Sequence, residues 1–258
     1  MIHVKTSLVC AGALATALAS QAAPGGNGNG TDILHFQVRS TMANDGVEPS
    51  ASGSVNANQN KQGGANNQTL AISVTGLATN TTYSLFAGVV SNTTLTAVTN
   101  FTTDANGSAS LQYTSKGNGH GKGHGKQNSL PDALNPVSSI QELDVFNSST
   151  QAVLTADLTM PSQLQYLIKR NISSGGVSAA LRIKATTSQT QFRLLASGLA
   201  ATNDYYLVVN GGIVQTNTSD ANGKLNITSL NSTLPILQVN SLDLWDTSSN
   251  VVVGTTLP

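Results

Sequence analysis

Apolar and polar residues alternate along most of this chain in short blocks, and no helical period persists after the first two dozen positions. A period of two places successive side chains on opposite faces of a half-buried strand. Thr, Val, Leu and Ile dominate the blocks, and turn residues separate them about every 8–12 positions. The first half offers strands at Ile33–Arg39, Gly53–Ala57, Thr69–Thr75, Tyr83–Val89, Leu95–Thr102, Ser108–Thr114, Ser139–Phe146 and Ala152–Leu158. The second offers Leu164–Arg170, Ala180–Ala185, Gln191–Ala196, Tyr205–Asn210, Ile213–Thr218, Lys224–Thr228, Gln238–Trp245 and Val251–Thr256.

The two halves repeat one another. Gly76-Leu77-Ala78-Thr79-Asn80-Thr81-Thr82-Tyr83 matches Gly198-Leu199-Ala200-Ala201-Thr202-Asn203-Asp204-Tyr205. Thr103-Asp104-Ala105-Asn106-Gly107 matches Ser219-Asp220-Ala221-Asn222-Gly223, and Leu143-Asp144-Val145-Phe146 matches Leu242-Asp243-Leu244-Trp245. The expected architecture is all-β: two tandem β-sandwich domains from an internal duplication, at 32–160 and 162–258. The first copy is longer, with a 17-residue insertion between Tyr113 and Asn135, within the loop 115–135. Insertions belong in surface loops. Asp104 with Gly107, and Asp220 with Gly223, read as hairpin turns in which Gly supplies a positive φ.

Leu77 precedes Tyr83 by six residues, and Leu199 precedes Tyr205 likewise. This pattern resembles the tyrosine corner of immunoglobulin-like and fibronectin type III sandwiches, which implies that each Tyr hydroxyl returns to backbone upstream. Thr79 and Ala201 stand where those families usually have Pro. The Gly-Leu…Tyr-x-Leu and Asp-Ala-Asn-Gly stretches also look like the extracytoplasmic sandwich domain of bacterial anti-sigma factors. That likeness covers about 60 residues per copy and implies a fold, with no functional residues.

Residues 1–22 read as a secretory signal peptide: Lys5, an apolar run from Leu8 to Ala19, and Ser20-Gln21-Ala22 before the expected cleavage near Ala22. A Gly/Asn linker at 23–31 follows. The expected address is exported: periplasmic, cell-surface or secreted. No later apolar run is long enough to span a bilayer, so no membrane span is expected in the mature chain. Cys10 is the single cysteine, which leaves the mature chain without disulfides or thiolate sites.

Only 9% of the 258 residues are charged, against about 25% in an average protein. Asn, Ser and Thr number 25, 29 and 30, so the surface is clothed in amides and hydroxyls. Zero net charge argues against a nucleic-acid partner. Scarcity makes the remaining charges informative. One cluster lies in the insertion: Lys116, His120, Lys122, His124 and Lys126 among glycines. Two imidazoles four residues apart could ligate a divalent metal, and His120 with His124 would be its ligands; no other cofactor is expected. The lysines instead suit an anionic polymer, or simply keep a Gly-rich loop solvated.

The second cluster is Arg182 and Lys184, alternating with Leu181 and Ile183, and Arg193 on the next strand. If those strands pair, one outer face is basic. Phe146 and Trp245 have opposite parity to their apolar neighbours and could stack on sugar rings or pack under loops.

The mature chain has two Glu, Glu48 and Glu142, and three His, His35, His120 and His124. No nucleophile elbow, zincin motif or phosphate loop occurs. The expected function is therefore a non-enzymatic structural, adhesive or ligand-binding protein contacting carbohydrate, anionic polymer or a cell-surface partner. An exported metal-binding protein and a polysaccharide-active enzyme are the alternatives. The sequence leaves the oligomeric state open.

Overall fold

The structure, a computed structural model, describes residues 32–89, 92–115, 128–232 and 235–257. The signal peptide and linker lie outside the described residues, as do Lys116, His120, Lys122, His124 and Lys126. The chain is all-β. Its strands are β1 (Ile33–Asn44), β2 (Ser52–Gln62), β3 (Ala65–Thr75), β4 (Thr82–Val89), β5 (Asn92–Thr102), β6 (Ala109–Thr114), β7 (Asn128–Ser129), β8 (Ile140–Phe146) and β9 (Ala152–Asp157). There follow β10 (Gln163–Ser174), β11 (Val177–Thr186), β12 (Thr190–Ser197), β13 (Asp204–Val209), β14 (Gly212–Thr218), β15 (Leu225–Ile227), β16 (Ser241–Asp246) and β17 (Val251–Thr256). Among the described residues three one-turn 3₁₀ helices punctuate the loops. Among the described residues no helix is long and apolar enough to cross a membrane.

Each half uses the same strand order. In the first, β1-β2-β3-β6 forms one layer and β9-β8-β4-β5 the other; in the second, β10-β11-β12-β15 and β17-β16-β13-β14. All these pairs are antiparallel; β7 adds one short parallel pair to β6.

The halves are not separate bodies, however. β1 and β10 pair antiparallel from Ile33 with Lys169 to Arg39 with Gln163, so one continuous path runs β15-β12-β11-β10-β1-β2-β3-β6-β7. The two halves are thus joined through one shared sheet. The physical reason is edge coverage: in a lone sandwich β1 and β10 would each present an unpaired edge, a template for aggregation. Here each covers the other. The buried side chains form one contiguous cluster across both halves, from Leu34 and Phe36 to Leu244 and Val253.

Burial alternates strictly where the sequence alternates. On β11, Val177, Ala179, Leu181, Ile183 and Ala185 are buried and the intervening residues exposed. Two tight Gly-Gly hairpins, Gly63-Gly64 and Gly175-Gly176, have φ of +57° and +86°, and +56° and +86°. Such two-residue loops fix the register of the strands they join.

The repeated turns carry the same bonds in both halves. Ala78 N–H donates to the Tyr83 hydroxyl and Ala200 N–H to that of Tyr205, both at 3.0 Å. Asp104 Oδ1 accepts from the Asn106 and Ser108 amides; Asp220 Oδ1 accepts from those of Asn222 and Lys224. Gly107 and Gly223 have φ of +70° and +68°, and a Cβ there would meet the Leu77 or Leu199 carbonyl oxygen at 2.0 or 2.1 Å. The buried hydroxyls of Thr103 and Ser219 complete the corner by donating to Ala78 O and Ala200 O at 2.6 Å. The first copy adds Glu48, whose Oε1 accepts from the Tyr83 hydroxyl at 2.6 Å. Burial first, and this bond second, push the Tyr83 hydroxyl up to about 12. Asp104, Asp220 and the two tyrosines are thus occupied in holding turns.

Candidate functional site

Strand register brings the basic residues of the second half together. β11 and β12 pair with Arg182 directly opposite Arg193. On the other side Arg182 is opposite Lys169 of β10. Directly opposed Cα atoms on antiparallel strands lie about 4.5–5.5 Å apart. Lys169, Arg182 and Arg193 therefore form one cationic rung across three neighbouring strands, and all three are exposed. Lys184, also exposed, lies two residues beyond Arg182 on the same face. Lys169 is a member that sequence reasoning missed.

Like charges directly opposed across strands are unfavourable. Among the described residues the ion pair is Arg170 with Asp32, at 3.3 Å, and none of the three rung cations takes part in it. The scaffold does not require the cations either. Aligning the strands through Gly76 and Gly198 makes Arg39, Asn56 and Ala71 the equivalent rung of the first half, one cation and two neutral residues. Three cations therefore stand where the first half has one cation, Asn and Ala.

A groove of about 680 Å³ adjoins the rung. Asn171, Ala180 and Leu195 line it, each two residues from Lys169, Arg182 and Arg193 respectively. Asp220 and Lys224 also line it.

The opposite layers carry acids and aromatics. Asp144 is 4% exposed, between Phe86 of β4 and Thr155 of β9. Burial pushes its carboxyl up to about 6; a hydrogen bond with Thr155 opposes the shift, and the charges of Glu142 and Asp45 add to it. Its Oδ1 has no hydrogen-bond partner. The matching Asp243 is also raised by burial. Phe146 packs edge-on against Phe86, with centroids 5.1 Å apart, so it is a packing residue rather than a free platform. Trp245 lies opposite Tyr206, and its Nε1 is buried without a partner. His35 lies half-buried on the outer side of β1.

Polysaccharide hydrolysis needs two carboxyls flanking one scissile bond. The large groove holds one acid, Asp220, and the 360 Å³ cleft beside β1 also holds one, Asp32. Among the described residues no group of three or more His, Cys, Asp or Glu is arranged to hold a metal. The sequence matches no protein-family model and no curated protein.

Proposed function

We propose that this is an exported, non-enzymatic binding protein, built of two tandem immunoglobulin-like sandwiches from an internal duplication, whose second half holds an anionic polymer. The duplication is supported by the shared strand order and the matched bonds of Tyr83 and Tyr205. The binding reading is carried by one observation: Lys169, Arg182 and Arg193 opposed on three adjacent strands without acidic partners. Guanidinium groups grip carboxylates and sulfates through two parallel N–H bonds, which favours Arg at such a surface.

Titration with polygalacturonate and with dextran sulfate tests this. Changing both Arg182 and Arg193 to Gln is expected to weaken binding about tenfold or more, since bonds to charged groups contribute about 1.5–3 kcal/mol each. Arg39→Gln, in the equivalent rung of the first half, should leave affinity unchanged. Wild-type binding should also weaken as salt rises. Unaltered affinity in the double variant, or equal binding of uncharged dextran, would overturn the proposal.

A further inference from the structure

The groove beside the rung has a chemical order that a bare polyanion does not need. Its floor is apolar and low at Ala180 and Leu195, the latter 37% exposed. Around it stand the side chains of Asn171, Ser173 and Asn226, which are exposed and make no hydrogen bond to the described protein. The ring of a sugar offers the complementary surface: C–H groups on one face and hydroxyls around the edge. The three opposed cations of the rung stand at one end, two residues along from each floor strand's contribution. At the other end lies the Asp220 carboxylate, fixed by two backbone amides at 2.8 Å, with Lys224 beside it. Asp220 and Lys224 offset one another in charge, so the net pull on an anionic group comes from the rung.

We infer that the groove is a subsite for the ring of an acidic sugar, so that the ligand class is a polyuronate chain and not any polyanion. This rests on the proposed anion-binding role of the rung. Neighbouring strands lie about 4.8 Å apart, close to the advance of one sugar unit in an extended polysaccharide. A chain lying across β10, β11 and β12 offers one carboxylate to each cation. The equivalent floor in the first half is Ser54 opposite Ser73, where hydroxyls replace Ala180 and Leu195.

The experiment compares oligogalacturonate with polyphosphate, a sugar-free polyanion, on the full mature chain. Ala180→Ile fills the groove at an exposed strand position that favours β-branched residues, and Ser178→Ile fills it one step away. Both are checked for unchanged thermal unfolding, so that one soluble, folded variant suffices. The expected result is at least tenfold weaker binding of oligogalacturonate with polyphosphate binding unchanged. Equal weakening of both ligands, or no change in either, overturns the subsite and leaves the rung standing. If the Arg182/Arg193 double variant binds both ligands like wild type, the rung itself fails.

Discussion

Phe36→Ala is expected to destabilise the protein by about 3–5 kcal/mol and to lower the unfolding of both halves together. Phe36 is 2% exposed in β1, at the middle of the junction between the halves. It stands opposite Tyr166 of β10, and the two rings meet edge to face with centroids 6.3 Å apart. Truncation leaves a cavity that a sheet bonded on both sides cannot close. Urea unfolding followed by Trp245, the single tryptophan, reads the second half, whereas circular dichroism reads the whole. The two probes should report one transition. Leu85→Ala, fully buried in β4 of the first half, should move the Trp245 transition as well. A Trp245 signal indifferent to Leu85→Ala would mean that the halves unfold independently, and the continuous sheet would not be cooperative.

Asp144→Asn is expected to stabilise the protein at pH 8 by up to about 3 kcal/mol, from a shift of about two pKa units. In the folded protein the carboxyl titrates near 6, above its ordinary value of 3.8. The folded state therefore holds a proton that the unfolded state has already released. Its contribution is present in full below about pH 4 and is lost as pH rises through 6. Asn keeps the shape and removes the charge that burial, Glu142 and Asp45 all oppose. Thermal unfolding between pH 4 and 8 should fall with pH in the wild type across this window and lose that component in the variant. Parallel curves would show that Asp144 ionises without cost.

Period and parity made most of the strands legible. Ile33, Ser139 and Val251 sit at or beside real strand starts because alternation is what an antiparallel layer demands of its residues. The observed β1 runs on to Asn44, since Ser40, Thr41 and Asn44 have too little hydrophobic contrast to mark a strand. β7, at two residues, has no period at all. The pairing of β1 with β10 was invisible because alternation gives a strand's faces, not its neighbours.

The same limit hid Lys169 from the basic face. A signal did exist: Gly175-Gly176 is a two-residue hairpin, and counting back equally from it sets Lys169 against Arg182. Asp144 lies within β8 with the parity of Phe146. Only the neighbours Phe86 and Thr155, supplied by other strands, make it a buried acid.

The joined strands also decide how the protein bears force. β1 is bonded on one side to β2, from Leu34 to Met42, and on the other to β10, from Ile33 to Arg39. The end of β1 also pairs with β9 at Ala43 and Asn44, so a pull along the chain ahead of Ile33 would have to shear three ladders. An edge strand under a sideways pull unzips one bond at a time. Tension applied ahead of Ile33 thus enters the protein through a strand bonded along both edges, not through a free one.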